Sequence, residues 1–74
     1  MSKSKFDIRR TVEVEDFGKI TAKASTLNSI SIALMEAAQL DRKRGLEASA
    51  NIRDRQSNQI YNALKATGFY KNLN

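Results

Sequence analysis

The sequence predicts an α+β domain, an N-terminal β-hairpin followed by two α-helices or one long helix, and two changes of pattern carry that expectation. Apolar residues alternate with polar ones through Ala24, and from Leu27 onwards they recur at helical spacing. A third observation, the absence of proline, leaves the helical part without an obligatory break.

The hairpin is assigned to residues 6–25. Phe6, Ile8, Val12 and Val14 form one alternating run, Ile20, Ala22 and Ala24 form another, and Asp16-Phe17-Gly18 lies between them. A three-residue loop with glycine in the left-handed position fits that spacing. Pairing Val14 with Ile20 then sets Val12 opposite Ala22 and Arg10 opposite Ala24, so the apolar side chains share a face. On the other face Glu15 meets Lys19 and Thr11 meets Lys23, pairings that mildly favour this register. A two-stranded hairpin is marginal alone, so its strands pack on the helices, pair between subunits or join a partner's sheet.

The first helix is assigned to residues 27–44. Ser25, Thr26 and Asn28 are competent N-caps, and Leu27, Ile30, Ala33, Leu34, Ala37, Ala38 and Leu40 make a broad apolar face from which Ile32 and Met35 depart. The second helix is assigned to residues 46–67. Its apolar residues Ile60, Ala63 and Leu64 lead to Thr67-Gly68, and Phe69 stands where a Schellman cap places its hydrophobic contact. Phe69 and Tyr70 therefore read as core plugs, and residues 71–74 as a frayed tail.

Gly45 decides between two helices and one. Inside a helix it costs only about 1 kcal/mol, but a break at Arg44-Gly45 buries more apolar surface and sets Arg42, Lys43 and Arg44 at a helix C-terminus, where cations are favoured. The sequence favours the break, with Asn51 and Asp54 offering a further helix start. In an unbroken helix, Asp41, Gly45, Ala48, Ile52, Gln56 and Gln59 would continue the stripe begun by Leu27. Arg42 and Arg53 would flank one side of it, Arg44 and Arg55 the other, a seam that disfavours self-pairing and favours an acidic partner.

With 74 residues the chain is one small domain, and a core of that size supplies roughly 3–5 kcal/mol. Neither cysteine nor histidine is present, which removes disulfides and the usual zinc frameworks, so homo-oligomerisation or a partner is the expected source of further stability. No apolar run reaches transmembrane length and no secretory h-region follows Met1, so a cytoplasmic protein without membrane contact is expected. Catalysis is not expected, nor is a cofactor, a metal or a small-molecule substrate. The chain lacks any Cys–His or Ser–His pair, and Glu13, Glu15 and Asp16 read as a solvated hairpin face. Gly18, Gly45 and Gly68 are too far apart for a phosphate-cradling loop.

A net charge of +5 points instead to binding, with nucleic acid or an acidic protein surface as partner. The candidate contact residues are Lys19, Lys23, Arg42, Lys43, Arg44, Arg53, Arg55, Gln56, Gln59 and Asn62. Arginine, glutamine and asparagine have the donor and acceptor geometry to read base edges, and the cations at Arg42, Lys43 and Arg44 suit phosphates. Lys19, Thr21 and Lys23 project together from one strand. That strand, followed by two helices, distantly resembles the ribbon-helix-helix repressors in topology over Lys19 to Leu64, a resemblance that implies DNA reading by the ribbon. The additional N-terminal strand and the long second helix depart from that family. The alternatives are a small inhibitor or adaptor of the type mobile elements encode, engaging an acidic partner, and a subunit of a larger assembly.

Overall fold

The computed structural model of the chain describes residues 7–71 and has the predicted α+β architecture: β1 (Arg9–Val14), β2 (Gly18–Lys23), α1 (Ala24–Lys43) and α2 (Glu47–Ala66). The strands form an antiparallel two-stranded sheet, and the helices form an antiparallel hairpin. Phe6 and residues 72–74, assigned above to the first strand and the tail, lie outside the described residues.

The β-register differs from the expected one by two positions. Arg9 faces Lys23, Arg10 faces Ala22, Thr11 faces Thr21, Val12 faces Ile20, Glu13 faces Lys19 and Val14 faces Gly18. The turn closes earlier than glycine alone would set it, because Asp16 itself adopts a left-handed conformation (φ 68°) ahead of Gly18 (φ 77°). Aspartate tolerates that region better than most residues, and the Phe17 amide then bonds the Val14 carbonyl at 3.0 Å. A shift of two keeps every side chain on its own face. Val12 and Val14 are still buried, and Arg9, Thr11, Glu13, Lys19, Thr21 and Lys23 point to solvent.

The first helix starts at Ala24, directly from β2, and not at the serine and threonine expected to cap it. Lys23 is the N-cap and makes no side-chain cap bond. The first amide of the helix is satisfied otherwise, since the Ala24 amide donates to the Ile8 carbonyl at 2.9 Å and so extends the strand ladder into the helix.

The helix breaks at Gly45, and the continuous stripe through Asp41, Gly45 and Gln59 does not exist. Gly45 (φ 77°) follows the Arg44 cap, its amide bonding the Arg42 carbonyl at 3.1 Å while the Leu46 amide bonds the Asp41 carbonyl at 2.8 Å. That is a Schellman motif. α2 ends in the same way at Gly68, with the Gly68 amide on the Lys65 carbonyl and the Phe69 amide on the Leu64 carbonyl. Phe69 is buried, as the cap contact requires, whereas the equivalent Leu46 is half exposed. Asn51 and Asp54 lie inside α2 and start no helix.

The buried core joins Val12 and Val14 of the sheet to Ala24, Leu27, Leu34, Ile60, Leu64 and Phe69. Ala33 and Leu40, placed on the apolar face by the sequence, are exposed. The interhelical stripe of α1 is narrower and partly polar: Leu27, Ser31, Leu34, Ala38 and Asp41. Its spacing of four and three residues is that of an antiparallel helix pair. Small residues at its centre let the backbones approach. The Ser31 hydroxyl donates to the Ser57 carbonyl (3.0 Å) and the Ser57 hydroxyl to the Ser31 carbonyl (2.8 Å), so each helix bonds the other's main chain. The same antiparallel pairing sets Ala38 beside Ala50, both without exposed surface.

A Cβ at Gly45 meets no atom within 4 Å, so replacing this residue tests the backbone conformation alone. Gly45→Ala should lower the free energy of unfolding by about 1 kcal/mol in urea titration, the cost of a left-handed non-glycine residue. Ser57→Leu should cost more, because it forces apart helices in direct contact.

Candidate nucleic-acid interface

The candidate contact residues fall into three groups, of which the first is turned towards the protein's own hairpin. Arg55, Gln56 and Gln59 of α2 all hold one residue of the hairpin turn, Glu15. Gln59 Oε1 accepts from the Glu15 amide at 2.7 Å, Gln56 Nε2 donates to the Glu15 carbonyl at 2.9 Å, and Arg55 forks onto the carboxylate with Nε and one terminal nitrogen, both at 2.8 Å. Residues 55, 56 and 59 form one patch of helix surface because positions three and four apart are neighbours. The charge-assisted fork with Arg55 holds the Glu15 carboxyl below its ordinary 4.5, against an opposing push from partial burial. Gln56 is itself buried.

The second group closes the helical turn. Arg53 Nε donates to Asp41 Oδ2 at 2.9 Å, and Ser49 Oγ donates to the same oxygen at 2.7 Å. Arg42 reaches across in the opposite sense to Asp54, with further contacts to Asn51 (3.2 Å) and Glu47 (3.6 Å). The sequence pairs Asp41-Arg42 and Arg53-Asp54 are thus exchanged across the antiparallel helices. The Ser49 bond is the main cause holding the Asp41 carboxyl below 3.8, with Arg53 and the nearby charge of Arg44 adding to it against desolvation. These arginines are committed to the fold, and the flanking positions expected of an unbroken helix are not realised.

The third group faces solvent. Lys19 and Lys23 lie on the outer face of the ribbon, Lys43 and Arg44 at the helical turn, and Asn62 on the exposed side of α2. None of these four cations forms an ion pair among the described residues. The shifted register changes partners on the ribbon face: Thr11, expected opposite Lys23, pairs with Thr21, and Arg9 takes the place opposite Lys23. Arg9 stands directly across from Lys23, and the Thr11 and Thr21 hydroxyls bond at 2.7 Å between them and the Glu13–Lys19 pair. The signal for Arg9 lay in the left-handed tolerance of Asp16, which resets the register. Among the described residues no group of three His, Cys, Asp or Glu side chains is placed to hold a metal, and no helix is long and apolar enough to cross a membrane.

Glu15 and Asp41 have lowered folded-state values, so the stability they contribute is present above their ordinary values and is lost as pH falls through the folded ones. The thermal midpoint should therefore decline on acidification below about pH 4.5, with Glu15→Gln removing part of the slope in a calorimetric pH series. Gln56→Leu, which strands the Glu15 carbonyl, should cost about 1–3 kcal/mol by urea denaturation, and Asn62→Ala under about 0.5. Set against known proteins, the chain matches no family model, and no curated protein and no solved structure matches it.

Proposed function

We propose that the protein binds nucleic acid non-catalytically through the outer face of its β-ribbon, with the duplex backbone as the principal contact. The observation that carries this reading is the juxtaposition of Arg9 and Lys23. Like charges directly opposite on a sheet repel, so the pair is locally unfavourable, and neither side chain has an acidic partner among the described residues. A bound anion relieves that repulsion. Lys19 extends the basic edge on the same face, and the threonine hydroxyls between supply neutral donors and acceptors.

A two-stranded ribbon has the width that the major groove of DNA admits. No aromatic side chain projects from the paired strands, so stacking on unpaired bases is not what this face offers, and duplex is favoured over single strands. Arg55, Gln56 and Gln59 act here as positioning residues, since they hold the turn from which the ribbon extends. Lys43 and Arg44 form a separate basic site at the helical turn. An acidic protein is the second partner class for the same cations, and a protein of this kind acts in the cytoplasm.

Fluorescence anisotropy with a labelled duplex at several salt concentrations tests the reading. Three phosphate-contacting cations predict a slope of log K against log[salt] of about −3, and Lys23→Ala should flatten it by about 1 for every sequence. Gln59→Ala should leave the slope unchanged. Salt-insensitive binding, or no duplex binding beside measurable affinity for an acidic protein, would overturn the assignment.

A further inference from the structure

The face of the helical hairpin opposite the sheet carries an apolar groove of about 440 Å³ that nothing in the chain's described residues covers. Its walls are Ile32 and Met35 of α1 and Tyr61 of α2, exposed by 44%, 45% and 40%. Tyr70 closes one end, stacked on Tyr61 at 4.9 Å between ring centroids and donating from its hydroxyl to Asn28 Oδ1 at 2.7 Å. At about 100° per residue, Tyr61 and Asn58 point away from Gln56, Gln59 and Ala63, which meet the hairpin and the core.

We infer that a second copy of this chain covers the groove, two helical hairpins meeting face to face as a four-helix bundle with the ribbons on the outside. The spacing is that of a helix seam. Asn28, Ile32, Met35 and Gln39 on α1 and Asp54, Asn58, Tyr61 and Lys65 on α2 are each four, three and four residues apart, with Ile32, Met35 and Tyr61 in the middle beside the polar Asn58 and with polar or charged residues at the ends. Such a seam matches itself under a two-fold rotation.

Charge selects the occupant. Two copies carrying +5 each repel, and they can meet only where their cations are not. The groove is lined by no charged residue. Its flanks carry Glu36, Glu47 and Asp54 against Arg42, Lys43 and Lys65, three acids balancing three cations, whereas the ribbon face holds Arg9, Lys19 and Lys23 against Glu13 alone. An acidic partner seated in the groove meets no cation in its lining and flanking cations that are balanced by acids; a second copy meets flanks without net charge.

The available area is also sufficient. Each helix has 20 residues, so the pair presents a face of roughly 30 Å by 20 Å. That is comparable to the roughly 800 Å² per partner of a stable interface once side-chain relief is counted.

Sedimentation velocity on the full chain from about 1 µM to about 1 mM reads the result directly. The expected outcome is a concentration-dependent passage from an 8.3 kDa species to one of twice that mass. Met35→Asp and Ile32→Lys, both at exposed positions, should abolish it while leaving the helical circular dichroism unchanged, and Lys23→Ala should leave dimerisation intact. A wild-type chain that stays monomeric throughout would overturn the proposal, as would a dimer that survives both groove substitutions or one that Lys23→Ala disrupts. The proposal does not depend on nucleic-acid binding, and these outcomes are read without nucleic acid.

Discussion

The grip of α2 on Glu15 is the contact on which the arrangement of this protein depends. A two-stranded ribbon does not persist alone, and the apolar residues it can offer the helices are few: Val12 and Val14 buried, Ile20 and Ala22 partly so. The helices supply the remainder by binding both main-chain groups and the carboxylate of a single turn residue. That contact fixes where the ribbon lies along α2. It also turns Arg55, Gln56 and Gln59 towards the protein's own hairpin turn. Side chains that in isolation resemble a base-reading set are used to satisfy the main chain and carboxylate of a partly buried turn residue.

Closeness of the helices is the second constraint, and it follows from small residues. Ser31 and Ser57 exchange hydrogen bonds with each other's backbone, and Ala38 and Ala50 leave only methyl groups to separate the axes. Helices that pack this tightly bury few large apolar groups between them. The hairpin therefore has to complete the core on one side, and Ile32, Met35 and Tyr61 are left on the other. The two faces differ in kind, one basic and one apolar with balanced flanks. The proposed binding face and the proposed association face accordingly do not compete for surface.

Much of the fold was legible in the sequence because its signals are local. Period-two alternation gave the strands, the change to helical spacing gave α1, and the sequence Thr67-Gly68-Phe69 gave the C-terminal cap with its buried phenylalanine. The break at Gly45 was legible as a balance of burial and dipole, though not from propensity. The strand register was not, because it turned on whether Asp16 or Gly18 took the first left-handed position, and both do. The start of α1 was missed for a related reason: its first amide is satisfied by Ile8, a residue distant in sequence, so no capping side chain was needed. In the candidate site, exposure of Lys19, Lys23, Lys43 and Arg44 followed from composition and pattern. The inward commitment of Arg42, Arg53, Arg55, Gln56 and Gln59 did not, since their hydrogen-bond partners are at least nine residues away in sequence.

Labour is divided between the elements: α2 holds the hairpin, and the hairpin's outer face is the proposed contact surface. Titration of isotope-labelled protein with a short DNA duplex, followed by amide and arginine Nε–H resonances, separates the two roles in one experiment. The account predicts shifts concentrated at Arg9, Thr11, Lys19, Thr21 and Lys23, with the Arg53 and Arg55 Nε–H signals unmoved and still protected. Shifts centred on Arg53, Arg55 and Gln59, with the ribbon silent, would contradict it.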